Sequence, residues 1–145
     1  MERSVSVLLP VHNAQNTLAR NVATVLDVLP ELTDQFEVLI IDDGSTDGTE
    51  EVARELSREF PQVRVARHDA RRGLAESLHT GLEQTDSEII FLRDTVDSME
   101  REVHCDGMAQ LWRLRDDQDI AIARKKNSQF GIQMIRREAL EKTAL

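Results

Sequence analysis

Residues 36 to 42, FEVLIID, form an almost unbroken apolar run rich in β-branched side chains. A strand of that kind is buried on both faces, and such strands belong to parallel sheets covered by helices on each side. The flanking segments fit the same plan. SVSVLLP reads as a first strand, ended by Pro10. Residues 16 to 29 carry Leu18, Val22, Val25, Leu26 and Leu29 at helical spacing. After DGSTDGTEE turns the chain, Asp47 and Glu50 have the spacing of a capping box, and Val52, Ala53 and Leu56 form the inner stripe of a second helix. VRVAR (63 to 67) is a third strand. Gly73 to Gln84 is a helix with Leu74, Leu78 and Leu82 on one side, and EIIFL is a fourth strand. Strand and helix in strict alternation predict an α/β fold: a mainly parallel sheet between two layers of helices. Further on, Ser98 to Asp117 reads as a helix with Met108, Leu111, Trp112 and Leu114 as its apolar set. IAIA (120 to 123) reads as a fifth strand, and IRREALEK (135 to 142) as a closing helix.

Composition sets outer limits. A chain of 145 residues suits a single domain, 1–145, and 40% hydrophobic residues suffice for a core. The net charge of -9 argues against nucleic acid and anionic membranes as partners. A single cysteine, Cys105, permits no internal disulfide and points to a reducing compartment. The apolar run at the N-terminus is too short for a signal peptide, and no segment reaches the length of an integral membrane span. A cytoplasmic location is the expectation.

Open parallel sheets bind ligands beyond the carboxyl ends of their strands. The residues to inspect are therefore 10–13, 42–46, 68–73 and 93–97. They bring together four acids (Asp42, Asp43, Asp94 and Asp97) and three arginines (Arg71, Arg72 and Arg93). Arginines take phosphate oxygens in bidentate fashion, and acids accept from a base or sugar or hold a divalent cation. Solvated loops also gather charge, so charge alone does not separate a site from a surface.

The motifs say more. SVLLPVHNAQNTL, FEVLIIDDGSTDGT, RRGLAESLHTGL and SEIIFLRD follow one another in an order and spacing that resembles the inverting family 2 glycosyltransferases. That family has the GT-A fold, a Rossmann-like three-layer α/β/α sandwich, and uses nucleotide-diphosphate sugars. The resemblance covers residues 4 to 97, about two thirds of the chain, and IIDDGSTDGT is its most specific piece. GIQMIRREALEK is similar to a later family segment in which a glycine-containing strand leads into a helix.

The resemblance implies a nucleotide-binding core at 1–97 and a reduced, truncated acceptor-side segment at 98–145. It implies that Pro10, Val11, His12 and Asn13 border the nucleotide base, and that Asp42 or Asp43 accepts from the base. Gly44 would allow close backbone approach or a positive φ, beside Ser45; Asp43, Ser45 and Asp47 also read as turn and capping residues. Arg72 and Gly73 match the segment that passes near the nucleotide, and the helix start at Gly73 offers free N–H groups to an anion. Gly81 reads as a close helix–sheet contact. The expected partner is a nucleotide-diphosphate sugar, with a UDP-sugar first.

Two departures complicate the resemblance. The family's fourth strand is normally followed by Asp-Xaa-Asp, which holds Mg²⁺ or Mn²⁺. Here Arg93 and Thr95 fall on the acid positions, with Asp94 between them. A guanidinium repels a cation and a threonine is no substitute for a carboxylate. A shifted Asp94–Asp97 pair is the remaining metal candidate. The second departure is that residues 98 to 134 contain no Glu-Asp pair to supply the catalytic base that inversion requires. His104-Cys105-Asp106 does not converge on a metal, because adjacent helical residues point about 100° apart. Three readings follow: a transferase in which Arg93 takes over the metal's role, a catalytically inactive nucleotide-binding or assembly module, and a homodimer that hides an apolar surface around Met108, Leu111 and Trp112, residues that equally suit a core.

Overall fold

The computed structural model describes residues 3–93, 105–124 and 131–142. The chain runs β1 (Val5–Val11), α1 (Leu18–Leu32), β2 (Phe36–Asp43), α2 (Thr49–Glu59), β3 (Val63–His68), α3 (Leu74–Gln84) and β4 (Ile89–Arg93). It continues with α4 (Cys105–Trp112), β5 (Ile120–Arg124), β6 (Gly131–Arg136) and α5 (Arg137–Lys142). The strands form one sheet in the order β3-β2-β1-β4-β6-β5. The first four are parallel. β6 runs antiparallel to β4, and β5 antiparallel to β6.

Period-two alternation divides the core. Val5, Val7, Leu9 and Val11 of β1 join Val38, Ile40, Ile89 and Phe91 beneath α1, α2 and α4. Leu8, Leu39, Ile41, Ile90 and Leu92 point the other way and meet Leu74, Leu78 and Leu82 of α3. The strands buried on both faces are thus the apolar runs of the sequence, as a sheet covered on both sides requires.

Several boundaries differ from the sequence-based expectation. β1 does not end at Pro10 but continues to Val11, with Pro10 opposite Ile41 of β2. Its pairing with β4 stops at Leu8–Leu92, so the proline sits where a single neighbour remains. A missing N–H is tolerated at such edge-like positions. α1 starts at Leu18 and passes through Pro30. The proline lies in the last turn, and the Thr33 N–H still reaches the Leu29 carbonyl at 3.1 Å. The closing helix begins at Arg137, because Ile135 and Arg136 pair with Ile90 and Ile89 as strand residues.

The helix expected over 98–117 is α4, which stops at Trp112; residues 98–104 lie outside the described residues. Leu114 is not part of its apolar face but is exposed in the following turn. Met108, Leu111 and Trp112 are all core residues. The Trp112 ring centroid lies 6.5 Å from that of Phe91. The Arg115 guanidinium lies over the indole, 4.5 Å from its centroid. These three side chains therefore offer no apolar face to a second copy. Among the described residues, no helix is long and apolar enough to cross a membrane.

Gly81 meets its expectation. A Cβ there would lie 2.5 Å from Leu8 Cδ1 and 3.2 Å from Leu8 Cγ, and Leu8 is fully buried. The absent side chain is what lets α3 lie close to β1. Gly81→Val is expected to destabilise the fold by about 2 kcal/mol through overpacking. Urea unfolding would read this as a lowered midpoint at unchanged slope.

Candidate functional site

Strand order places a topological switch beside β1. The chain moves from β1 outward through β2 to β3, then returns to lay β4 on the other flank of β1. In such sheets the crevice for a ligand opens at the carboxyl ends of the strands flanking the switch. The loops after β1, β2 and β3 meet at this edge and are tied together there.

The first tie joins the loops after β1 and β2. Asn13 adopts the left-handed conformation at φ 53, which asparagine tolerates better than most residues. Its backbone N–H donates to Ser45 Oγ at 2.9 Å. Its side-chain Oδ1 accepts from the N–H groups of Thr46 at 2.8 Å and Asp47 at 3.3 Å. The Ala14 N–H donates to Thr49 Oγ1 at 2.7 Å, and the Gly48 N–H to Gln15 Oε1 at 2.6 Å. The His12 ring donates from Nδ1 to the Asp43 carbonyl at 2.9 Å, and its Nε2 faces the Asn13 amide at 3.3 Å. The N–H groups of Thr46, Asp47 and Gly48 in the DGSTDG turn are thereby paired.

Adjacent strand residues point to opposite faces, so the paired acids Asp42 and Asp43 separate. Each meets the residue in register with it on β3, Arg67 and His68 respectively. Asp42 accepts from Arg67 Nη1 at 2.5 Å and from the Ser45 N–H at 3.0 Å. Arg67 also donates to the Ser45 carbonyl at 3.1 Å and pairs with Glu50 at 3.4 Å. On the α3 side, Asp43 Oδ1 accepts from His68 Nδ1 at 2.8 Å and from the Arg72 N–H at 2.8 Å. Asp43 Oδ2 accepts from the Gly73 N–H at 2.9 Å. Both carboxylates are fully buried.

These contacts revise several expectations. Asp42 and Asp43, which the resemblance suggested as acceptors for the base, each have internal partners in the loops. At the helix start expected to attract an anion, the Gly73 N–H, with the Arg72 N–H before it, already meets the Asp43 carboxylate. Val11 turns into the core and Pro10 is buried in β1, so neither side chain borders open space. The expected capping box is displaced: α2 begins at Thr49 with Gly48 as its cap residue. Asp47 instead accepts from the Thr49 N–H at 2.9 Å and the Thr49 hydroxyl at 2.5 Å, while Glu50 pairs with Arg54.

Gly44 shows both expected properties. Its φ is +72, and a Cβ would lie 2.5 Å from the backbone of Ala70 and of Arg71. The close approach is to the chain's own loop after β3. That loop carries Arg71 and Arg72, whose side chains are exposed, and leads to Gly73 at φ +96. Arg93 closes β4 opposite Ile132 and is half-buried. Asp94 and Asp97, the metal candidates, lie outside the described residues, as does His104. Among the described residues, no three His, Cys, Asp or Glu side chains group as a metal site. His68 falls within the stretch after β3 marked for inspection but without an assigned role, and Arg67 is not singled out. The signal was available: aligned as parallel neighbours, the ends of FEVLIIDD and VRVARH set Arg67 and His68 against the two acids.

Burial is the largest single influence on Asp43 and favours its neutral form. The hydrogen bonds from His68, Arg72 and Gly73 together outweigh it and hold the carboxyl below its ordinary value. Its contribution to stability is therefore complete above the ordinary carboxylate pKa of about 4 and is lost as pH falls through the depressed folded value. Asp43→Asn is expected to cost about 2–3 kcal/mol at pH 7, because an amide hydrogen replaces an acceptor among buried donors. The gap to the native protein should narrow below about pH 4. Urea unfolding across that range is the measurement.

Comparison with known proteins places this architecture. Residues 6–140 match the family model described as glycosyl transferase family 2. The glycosyltransferase AglE of Haloferax volcanii is 33% identical over 93 residues, which is 62% of this chain and 29% of that protein. The dolichol-phosphate mannosyltransferase of Pyrococcus furiosus is 30% identical over 90 residues, 62% of this chain and 25% of that protein. This chain thus spans under a third of either relative's length. Among solved structures, the mannosyltransferase PcManGT from Pyrobaculum calidifontis, in complex with GDP-Man and Mn²⁺, superposes with a TM-score of 0.77 at 19% identity. The alignment covers 99% of this chain and 47% of that one. Glucosyl-3-phosphoglycerate synthase from Mycobacterium tuberculosis, solved with Mn²⁺ and UDP, gives 0.68 at 21% identity over 95% of this chain and 58% of that one. The GT-A-like fold expected from the motifs is the fold observed, and with its match running from residue 6 to residue 140 the chain belongs to glycosyl transferase family 2.

Proposed function

We propose that this chain binds a nucleotide-diphosphate sugar at the carboxyl edge of β1, β2 and β4 and transfers the sugar with inversion. The observation that carries the reading is the convergence of three cross-braced loops at the topological switch, with Arg71 and Arg72 exposed beside them. In this reading His12, Asn13, Gly44 and Ser45 shape the wall against the base. Arg72, with Gly73 behind it, takes the phosphates, since a guanidinium binds phosphate oxygens in bidentate fashion. Asp42 and Asp43 act as braces. In the reaction an acceptor hydroxyl attacks the anomeric carbon, the bond to the diphosphate breaks, the nucleoside diphosphate leaves with the electron pair, and the hydroxyl proton is released to water.

The two solved neighbours named above are complexes with Mn²⁺. At the end of β4 the two positions that carry acids in the family motif do not fit a divalent ion in this chain. Arg93 stands on the first acid position of the motif and Thr95 on the second, which leaves Asp94 and Asp97, outside the described residues, as the shifted carboxylates a hard cation would have to use. We therefore assign Arg93 the neutralising task at the leaving diphosphate, a fixed cation where charge develops. The same substitution favours a second reading, an inactive family 2 domain that keeps nucleotide binding alone.

Calorimetry with UDP, GDP and their sugars, with EDTA present, separates the readings. Binding is expected without added metal, and Arg72→Ala should weaken it about tenfold, the loss of one charge-assisted contact. Sugar transfer or donor hydrolysis under chelation supports the metal-free transferase. Binding without turnover supports the inactive domain. Turnover that needs Mn²⁺ removes Arg93 from the role given to it.

A further inference from the structure

We infer that His68 is the positioning residue of this edge: through Asp43 it fixes the turn at Arg71–Gly73. The ring is 5% exposed and spans two elements. Its Nδ1 lies 2.8 Å from Asp43 Oδ1 on β2, and its Nε2 lies 2.7 Å from Thr80 Oγ1 on α3. The same Asp43 oxygen takes the Arg72 N–H, and the other oxygen takes the Gly73 N–H. One carboxylate thus gathers three donors, and the imidazole is the only side chain among them.

The turn needs an outside hold. Gly73 lies at φ +96 with nothing within 4 Å of where a Cβ would stand, so no neighbour at that position enforces the conformation. No side-chain cap closes the start of α3. The loop packs on Gly44 at Ala70 and Arg71; at Arg72 and Gly73 it is held by a pair of backbone N–H groups on Asp43, and His68 is the side chain that holds Asp43 in turn. The Thr80 hydroxyl can donate or accept, so both bonds of the ring persist whether or not the imidazole carries a second proton. On the nucleotide-sugar reading, His68 sets where the Arg71 and Arg72 guanidinium groups can reach without touching the ligand itself. That last consequence rests on the proposed function; the positioning role does not.

Two variants divide the ring's contacts. The amide of His68→Asn falls near the original Nδ1 and keeps a donor to Asp43, whereas that of His68→Gln falls near Nε2 and keeps the bond to Thr80. Amide hydrogen exchange at Arg72 and Gly73, compared with core amides of β2 such as Leu39, reads the turn directly. Exchange in His68→Asn should stay within about threefold of the native protein, and in His68→Gln it should rise at least about tenfold, as expected when a local opening replaces a global one. Equal exchange in the two variants would overturn the inference. The native protein supplies a reading that needs no variant: ¹⁵N shifts of the His68 ring should show a proton on Nδ1, and a bare Nδ1 would overturn the inference equally. UDP affinity should follow the turn, falling about fivefold or more in His68→Gln and holding in His68→Asn. If the native protein binds no nucleotide, the proposed function fails while exchange and ring shifts still decide the role of His68.

Discussion

The architecture of the candidate site depends on the pleat of β2. Two neighbouring carboxylates at a strand end would repel one another and, if buried together, would drive one to the neutral form. The pleat sends Asp42 towards α2 and Asp43 towards α3, and parallel register then delivers one basic partner to each from β3. Burying a charge is tolerated only when it is paired and hydrogen-bonded. Here each acid has a side-chain partner and at least one backbone N–H. From these two anchors the loops acquire their positions. Asp42 holds the turn at Ser45, and Asp43 holds the turn at Arg72.

A second layer of order comes from backbone conformations that few residues adopt. Asn13 and Gly44 both lie at positive φ on facing loops. Asn13 can then present its amide to the DGSTDG turn, and Gly44 can let the loop after β3 come within contact distance. Neither feature involves the apolar core, yet each fixes a part of the edge where the core strands terminate.

Much of the fold was legible because its strands are buried on both faces and its helices carry a single apolar stripe, so the two periods separate cleanly. The errors lie where local rules met tertiary context. Pro10 looked like a strand end, but β1 had already lost one neighbour and could run past it. Ile135 and Arg136 suited a helix by propensity, but pairing with β4 claimed them. In the candidate site, the loops could be named from the sequence but the partners of their side chains could not. Gly44 and Gly81 make the close contacts expected of them, whereas the partners of Asp42 and Asp43 are set by tertiary structure. Arg67 and His68 are ordinary residues in a one-dimensional reading. They gain meaning from register, which pairs residues 25 apart, and no short motif carries that information.

The bonds from Asn13, Ala14 and Gln15 to residues 45–49 have a thermodynamic corollary. Loops that become ordered only on association charge their lost conformational entropy against affinity. At this edge the folding reaction has already immobilised the walls contributed by the first two loops. An incoming molecule would therefore meet a preorganised surface there, and the calorimetric signature of its arrival should carry little entropic penalty from those segments.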